Sequence, residues 1–261
     1  MTSSERRQAV LAILNARDGV RVADLAARLQ VSDVTIRKDL ALLEEQGYIK
    51  RTHGGAVPAE RFDPEHALPT RHGTNRDRKA ALARRAKGLV SHGETIFIDS
   101  GSTCAAFARE ITEMELRVVT NSLDVLTILA DRPNISLLVV GGSYRHDAGS
   151  FIGPWAERSL GTVQFDHAFL GATGISLEGR FSAQNGLESQ VKSAAIAVAR
   201  TSIVIADGSK IGVQAFSVFA GPGEITTLVT DGTEEQCHPL EATGLHVIRK
   251  DDQIENPKEH S

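Results

Sequence analysis

The chain has 261 residues, of which 41% are hydrophobic and 24% charged, a balance typical of a globular protein. At roughly 100–200 residues per domain, this length accommodates one large domain, or one large and one small. No apolar run approaches the roughly 20 residues that span a bilayer, and the first ten residues lack the apolar core of a signal peptide. The two cysteines, Cys104 and Cys237, form no metal-ligand spacing and suggest no disulfide framework, so we expect a cytoplasmic protein.

Charge is unevenly distributed along the chain, although the formal net charge is only −4. Residues 1–57 contain 9 Lys/Arg and 7 Asp/Glu, giving +2, whereas the remaining residues contain 20 and 26, giving −6. A basic N-terminal region followed by an acidic remainder favours contact with nucleic acid through the N-terminal region alone. The asymmetry is mild and carries little weight without the pattern of the elements.

Three helices are predicted at the N-terminus. Apolar residues recur at helical spacing over 5–17 and again over 22–29. Ser32 is a favourable N-cap for a third helix, which reaches Gln46 and carries its own apolar stripe. Two helices joined by a tight turn can place the second in the major groove of DNA.

The third helix and the strand that follows it supply the predicted DNA contacts. Residues 48–53 indicate a strand that a glycine pair turns back, which forms a β wing. On the helix, we expect Thr35 and Lys38 to reach base edges and Val34 to contact a thymine methyl group. The other predicted DNA contacts, made largely to phosphates, are Ser32, Arg37, Lys50, Arg51 and His53.

A small helical domain with a solvated charged face is the alternative for this region, and the tight turn, the long third helix and the basic wing disfavour it. The segment 31–57, VSDVTIRKDLALLEEQGYIKRTHGGAV, resembles the N-terminal domain of DeoR-type repressors. In that family the helix typically reads VS-x-x-T-[IV]-R-[RK]-DL and the wing ends in HGGA. The resemblance implies that Thr35, Arg37 and Lys38 contact DNA.

The rest of the chain changes in character after residue 57. Residues 58–75 contain three prolines and no periodicity, which predicts a linker. From residue 76, short apolar strands alternate with helices, which predicts a mostly parallel, Rossmann-like α/β sheet covered on both faces. The predicted strands are 95–98, 117–119, 136–140, 167–170, 202–206 and 227–229, and the predicted helices are 79–90, 122–130 and 187–199. The predicted organisation is therefore a winged helix-turn-helix (1–57), a linker (58–75), an α/β sensor (76–250) and a polar tail (251–261).

Small and polar residues follow five of the predicted strands. In a parallel sheet the carboxyl ends of the strands meet at one edge, where ligands bind. The resulting ring suits a phosphorylated polyol, because residues 100–103 offer backbone amides to phosphate at the start of a helix. Lys210 and Arg145 can neutralise the phosphate, and Asp99 and Asp207 can accept hydrogen bonds from sugar hydroxyls. The predicted ligand-binding residues are Asp99, Gly101, Ser102, Thr103, Thr120, Asn121, Gly141, Gly142, Arg145, Gly171, Glu188, Lys192, Asp207 and Lys210.

Each loop taken singly is more often a tight turn whose glycines satisfy backbone geometry, but five loops at one edge favour a binding site. No GxGxxG fingerprint follows a strand and no GxxxxGK[ST] loop occurs, so we expect no nicotinamide cofactor and no ATP. The nine histidines show no ligand spacing, so we expect no metal. We expect Trp155 in the core or at an interface rather than stacked on a sugar.

The DeoR resemblance continues through the sensor and covers nearly the whole chain to about Asp231. The family's sensor motifs match residues 99–103, 120–122, 141–145, 150–154, 169–174, 191–192 and 206–210. The resemblance implies a sensor similar in fold to ribose-5-phosphate isomerase, and a repressor relieved by an effector from sugar catabolism, usually a phosphorylated one. Where the family often has Asp, this chain has Thr173 and Ser176, which leaves the effector's identity open.

An isomerase-like enzyme with an accessory DNA-binding domain is the alternative function. Isomerisation of an aldose phosphate needs a positioned general base, and the isomerase has Gly-Ala-Asp-Glu where residues 171–174 here read Gly-Ala-Thr-Gly. Glu188 and Lys192 remain on the next helix, so catalysis is disfavoured rather than excluded, and we predict no catalytic residue. A repressor without effector binding is disfavoured by the intact Asp99 and Lys210 loops. Because helix-turn-helix proteins usually bind paired half-sites, we expect a homo-oligomer, a dimer or a tetramer.

Overall fold

The structure, a computed structural model, describes residues 6–7, 9–10, 13–14, 20–45, 49–52, 54–58 and 76–249. The chain divides into two compact units, Met1–Arg71 and His72–Ser261. Most of the predicted linker and all of the predicted polar tail lie outside the described residues. None of the described helices combines the length and the apolar character of a membrane span.

The first unit is a winged helix-turn-helix. It contains helices α1 (Val22–Leu29) and α2 (Asp33–Glu45). Residues 6–7, 9–10 and 13–14 are also helical. Its strands are β1 (Val20–Arg21), β2 (Ile49–Thr52) and β3 (Gly55–Pro58). The strands form an antiparallel sheet in the order β1-β3-β2, in which β2 and β3 are the predicted wing and β1 is a strand that the sequence does not indicate.

Local sequence explains how helix α2 starts and why strand β3 of the wing begins with glycine. The Ser32 hydroxyl accepts a hydrogen bond from the Thr35 backbone N–H at 3.2 Å, which confirms the predicted N-cap. The apolar stripe of α2 is buried and consists of Ile36, Leu40 and Leu43. A Cβ on Gly55 would overlap the Val20 carbonyl oxygen, so glycine is needed for the close approach of β1 and β3. Gly55 therefore lies in strand β3, and the prediction that it forms part of the turn is wrong.

The second unit is built on a seven-stranded sheet in which every strand pair is parallel. Its strands in chain order are β4 (Thr95–Ile98), β5 (Leu116–Thr120), β6 (Ile135–Val139), β7 (Ser143–Arg145), β8 (Ser150–Ile152), β9 (Phe165–Leu170), β10 (Gly174–Ile175), β11 (Phe181–Ala183), β12 (Ala199–Ile205), β13 (Ser217–Ala220), β14 (Thr227–Val229) and β15 (His246–Ile248). The sheet order is β15-β14-β12-β9-β4-β5-β6, which confirms the predicted parallel α/β architecture. All six predicted strands are present, and the edge strand β15 is a seventh.

Helices cover both faces of this sheet. They are α3 (Arg76–Lys87), α4 (Ser102–Glu110), α5 (Leu123–Leu129), α6 (Pro154–Leu160), α7 (Gly186–Ala197) and α8 (Glu234–Glu241). Side chains alternate along each strand, so Phe97 and Ile98 enter different apolar cores. Helices α6, α7 and α8 contribute to the core that contains Phe97, and α3, α4 and α5 contribute to the core that contains Ile98.

Two antiparallel additions complete the second unit. The hairpin β7–β8 leaves the sheet after β6, and a small sheet in the order β10-β11-β13 lies beside the main one in the chain's second half. Trp155 lies in the first turn of helix α6 with 73% of its surface exposed, so the expectation that it is a core residue is wrong. An interface role for Trp155 remains a prediction.

Candidate functional site

The predicted DNA-reading face lies on helix α2, opposite the buried stripe. Val34 is 62% exposed, Arg37 and Lys38 are exposed, and Thr35 is half-buried. An exposed valine on a helix that carries two cations gives the surface both an apolar contact and positive charge. Asp39 lies at the back of the helix and accepts a hydrogen bond from the Nε of Arg6 at 2.6 Å. The ion pair ties the recognition helix to the N-terminal helical residues.

The remaining predicted DNA contacts differ in how they are placed. The Ser32 hydroxyl caps α2 and lies 2.9 Å from the Thr35 hydroxyl, so both hydroxyls are engaged within the protein. Arg51 is exposed on the wing, and its Nε lies 2.7 Å from Glu44 Oε2. The side chain of Lys50 and the whole of His53 lie outside the described residues, and their roles remain predictions.

The carboxyl edge of the large sheet brings the five predicted loops together. Strands β12, β9, β4, β5 and β6 are consecutive neighbours in the sheet, so the loops that follow them form a continuous row. The row begins at Asp207 after β12 and ends at Gly141 and Gly142 after β6. Helix α4 starts from this edge with Ser102, directly after Gly101, whose φ of +111° favours glycine.

An ion-pair network occupies the centre of this edge. The Lys192 ammonium contacts the Asp99 carboxylate and lies 3.5 Å from Glu188 Oε1. Glu188 Oε2 in turn accepts a hydrogen bond from Arg145 Nη1 at 3.2 Å, and Arg145 also pairs with Asp147 at 2.7 Å. The sequence predicts four of these five residues, and the structure adds Asp147.

Burial and charge fix the protonation of the central pair. Burial, together with the nearby Glu188 carboxylate, holds the pKa of the Asp99 carboxyl above its ordinary value, although the Lys192 ammonium and the Gly171 N–H oppose that rise. Burial lowers the pKa of Lys192, but the carboxylates of Asp99 and Glu188 outweigh it and hold that pKa above the ordinary lysine value. Lys192 is therefore a fixed cation at neutral pH, and it stabilises the ionised form of the carboxylate that it touches.

The same pair also fixes the loop after β9. The backbone N–H of Gly171 donates to Asp99 Oδ2 at 3.2 Å, and the Lys192 ammonium donates to the Gly171 carbonyl at 3.1 Å. Both backbone groups of this predicted ligand residue are thus engaged within the protein. Asp99 itself is fully buried, so it lies beneath the edge rather than on its surface.

Three buried polar atoms near this network have no hydrogen-bond partner among the described residues: Asp99 Oδ1, Asn121 Oδ1 and Ser150 Oγ. Asn121 follows Thr120. The Thr120 hydroxyl donates to the carbonyl of Ile98 on the neighbouring strand β4 at 2.6 Å. Buried polar groups are nearly always paired, so three unpaired atoms at one edge indicate a place where a ligand supplies the partners. Ser150 belongs to the family motif at residues 150–154 but is not among the predicted ligand-binding residues, and the structure places it opposite Arg145 in the hairpin.

The predicted ligand-binding residues around the central pair differ in whether their side chains are already bound within the protein. Lys210 is half-buried and forms no ion pair with any residue that the structure describes. Asp207 Oδ1 accepts the Ser209 backbone N–H at 3.0 Å, which caps the turn that carries Lys210. Arg145 is held by two carboxylates, so Lys210 is the better placed of the two predicted phosphate-binding cations. Thr103 is half-buried in the first turn of α4.

No group of three or more side chains suited to a metal ion occurs among the described residues. The chemistry of the edge is therefore that of hydroxyl, amide, carboxylate and ammonium groups. These groups bind polar organic ligands through hydrogen bonds and charge.

Known proteins resemble the chain over nearly its whole length. The family model described as the DeoR-like helix-turn-helix domain matches residues 6–62, and that of the DeoR C terminal sensor domain matches residues 74–232. The uncharacterized HTH-type transcriptional regulator YulB of Bacillus subtilis is 34% identical over 88% of this chain and 90% of its own length. The lactose phosphotransferase system repressor of Streptococcus mutans is 32% identical over 88% of this chain and 93% of its own length. Ribose 5-phosphate isomerase A of Methanocaldococcus jannaschii is a partial structural match, with 23% identity, a TM-score of 0.40, and coverage of 52% of this chain and 55% of its own.

Proposed function

The chain belongs to the DeoR family of helix-turn-helix transcriptional regulators, and we propose from this that it represses a carbohydrate catabolic operon and leaves its operator when a phosphorylated sugar binds. It is a regulator rather than an enzyme, in keeping with the named relatives. A repressor acts where the chromosome is, so we propose that it works in the cytoplasm on double-stranded operator DNA.

The observation that carries the DNA-binding function is the outward face of α2. Val34, Arg37 and Lys38 are exposed there, while the opposite stripe is buried in the unit's own core. A helix with one face committed to packing and the other bearing cations suits insertion into the major groove. Lys38 reads a base, and Arg51 on the wing meets a phosphate.

The sensing function is supported by the row of loops at the sheet's carboxyl edge. The phosphate binds beside Lys210 and the first turn of α4, where backbone N–H groups and a cation favour an anion. The sugar lies towards Asn121 and Glu188. Asp99 positions the site through Lys192 and Gly171, and its second carboxyl oxygen, which has no partner among the described residues, is left for a ligand that enters beneath the edge.

A dimer or tetramer fits this function, since paired half-sites on an operator match a protein with two-fold symmetry. The rival function, sugar-phosphate isomerisation, has a single favourable observation in the carboxylate of Glu188. That carboxylate already contacts both Arg145 and Lys192.

The test begins with the purified full-length protein and a random DNA library, from which bound sequences are selected. Gel shifts on the selected operator then measure release by a panel of sugar phosphates, with the unphosphorylated sugars as controls. We expect one phosphorylated sugar to release the DNA and, at 100 times its dissociation constant, to stabilise the protein by about 2.7 kcal/mol. If the unphosphorylated sugar acts equally well, the proposed phosphate site is wrong. If no DNA sequence is enriched, the proposed repressor function is wrong.

A further inference from the structure

The three unpaired buried atoms belong to residues that form a closed ring at the carboxyl edge, joined partly by side-chain contacts and partly by backbone pairing. We use the name polar ring for Asp99, Asn121, Arg145, Ser150, Glu188 and Lys192. Contacts join Asp99 to Lys192, Lys192 to Glu188, and Glu188 to Arg145. One half of the ring is thus held together by ion pairs.

Backbone pairing closes the other half of the ring. Arg145 lies opposite Ser150 in the hairpin β7–β8, and Ser122 forms a β-bridge with Ser150. Asn121 precedes that bridge, and its backbone carbonyl accepts the Phe151 N–H at 2.8 Å. The circuit returns to its start because Asn121 and Asp99 directly follow a paired position, Thr120 and Ile98, on adjacent strands.

We propose that the polar ring binds the hydroxyl-bearing end of the effector and excludes a carboxylate there, so that the protein responds to sugar or polyol phosphates and not to the corresponding sugar-acid phosphates. Ser150 is assigned as a binding residue of this site. The proposal rests on the proposed function, which supplies the phosphorylated ligand, and adds which class of ligand the site accepts.

Two of the three unpaired atoms, the Asp99 and Asn121 side-chain oxygens, require hydrogen-bond donors from the ligand, whereas the Ser150 hydroxyl can donate or accept. The Asn121 amide nitrogen donates to the Phe151 carbonyl at 3.3 Å, which leaves the amide oxygen as the unpaired acceptor. Asp99 Oδ1 is the free oxygen of a carboxylate whose other oxygen holds Lys192 and Gly171. A hydroxyl donates to either oxygen, whereas a carboxylate has no proton to donate at neutral pH.

Charge in the ring disfavours an acid for a second reason. Lys192 and Arg145 are its cations, and each already contacts two carboxylates. Together with Asp147, the network contains three carboxylates and two cations. A ligand carboxylate would therefore lie beside three carboxyl groups, and both cations of the network are already paired.

Arg145 and Glu188 lie on the more exposed side of the ring. The side chains of Arg145 and Glu188 are 13% and 15% exposed, while Asp99, Asn121 and Ser150 are fully buried beneath them. A ligand reaches the unpaired atoms when the 3.2 Å contact between Arg145 and Glu188 opens.

Matched ligands test the selectivity directly. Calorimetric titration of the full-length protein compares ribose 5-phosphate with 5-phosphoribonate, and glucose 6-phosphate with 6-phosphogluconate. The members of each pair share one carbon chain and differ in oxidation state only at C1, the carbon remote from phosphate. We expect the sugar of the pair that fits to bind at least about tenfold more tightly than its acid, because the acid leaves acceptors unpaired and adds repulsion. Equal affinities within a pair would overturn the proposal and leave the proposed function standing.

A serine substitution tests the assigned residue. Because Ser150 Oγ has no partner, Ser150→Ala should not lower the melting temperature of the unliganded protein, yet should weaken sugar-phosphate binding about three- to tenfold. The matched control is Ser193→Ala, whose hydroxyl donates to the Phe219 carbonyl at 2.7 Å. We expect Ser193→Ala to lower the melting temperature and to leave affinity unchanged.

The outcomes separate the two levels of the proposal. If Ser150→Ala lowers the melting temperature and leaves affinity unchanged, Ser150 is structural and the assignment is wrong. If no compound of either pair binds, and a wider panel of phosphorylated sugars also fails, the proposed effector function is refuted and the selectivity falls with it.

Discussion

Arg78 in helix α3 forms a two-point ion pair with Asp231, at the carboxyl end of strand β14 and 153 positions later in the chain. The Nε–Oδ2 distance is 2.6 Å and the Nη2–Oδ1 distance is 2.9 Å. Asp231 Oδ1 also accepts the Gly208 backbone N–H at 2.8 Å. The first described helix of the second unit is thereby fastened to the loop that carries Lys210.

This ion pair makes part of the free energy of unfolding depend on pH. Burial raises the pKa of Asp231, but the hydrogen bonds from Arg78 and Gly208 outweigh it and hold that pKa below the ordinary 3.8. The pair therefore stabilises the fold above about pH 4, and its contribution is lost as the pH falls through the lowered pKa. We expect Arg78→Ala to cost up to about 1 kcal/mol at pH 6, since Arg78 is half exposed, and less at pH 3.

Urea unfolding at the two pH values measures this difference. Arg84→Ala is the matched control, because its pair with Glu110 is longer, at 3.9 Å, and more exposed. We expect almost no change for the control at either pH. An Arg78→Ala cost that stayed constant between pH 6 and pH 3 would show that Asp231 is not the group that titrates.

The buried pair Lys192–Asp99 should be sensitive to the loss of one partner. Lys192→Met leaves the fully buried Asp99 carboxylate without its cation, which we expect to cost about 3–5 kcal/mol in the free energy of unfolding. Adding Asp99→Leu removes the uncompensated charge and should recover part of that loss. Urea unfolding of the two variants measures both effects, with Lys87→Met on an exposed position as the control. A double variant less stable than Lys192→Met alone would contradict this account.

Asp99 also marks the limit of what the sequence predicts. Its position after an apolar strand correctly places it at the carboxyl edge, because strand ends follow from short apolar runs. Its burial depends on Lys192, 93 positions away, and no local pattern contains that contact. The same holds for Arg145. It was predicted to bind phosphate, but its guanidinium group already pairs with Asp147 and Glu188, and no local sequence pattern indicates the contact with Glu188.

Short elements were the part of the fold that periodicity could not indicate. Strand β1 has two residues, too few for an alternating pattern to stand out from a loop. The hairpin β7–β8 is similarly short and mostly polar at its start. The longer strands of the main sheet and helices α1, α2, α3, α5 and α7 were predictable, because their apolar residues repeat over several positions, whereas helix α8 was not predicted.

Lys38 should discriminate between DNA sequences. If it donates to a base edge, Lys38→Ala should weaken binding to the selected operator by about 1–3 kcal/mol and weaken binding to scrambled DNA much less. Arg51→Ala should weaken both DNAs alike, since a phosphate contact carries no sequence information. Gel shifts at two salt concentrations measure these losses, with Lys87→Ala as a control outside the first unit. Equal losses on both DNAs for Lys38→Ala would assign Lys38 to a phosphate.

The protein should bind sugar phosphates without converting them. The loop after β9 reads Gly171-Ala172-Thr173-Gly174 and offers no carboxylate, and a threonine hydroxyl accepts no proton near neutral pH without a neighbouring base. A missing acid–base group typically costs about 10²–10⁴ in rate. A sensor also gains from this loss, since a consumed effector would cease to report its own concentration.

Glu188 is the group that could contradict this expectation. Its Oε1 lies 3.5 Å from the Lys192 ammonium and its Oε2 lies 3.2 Å from Arg145 Nη1, so both oxygens face cations rather than a substrate carbon. Incubation with ribose 5-phosphate, followed by detection of ribulose 5-phosphate, measures turnover directly. We expect none above the rate in buffer, and none for Glu188→Gln. Turnover by the wild-type protein that disappeared in Glu188→Gln would show that the Arg145 and Lys192 contacts open to release a catalytic base, and the chain would then be an enzyme as well as a regulator.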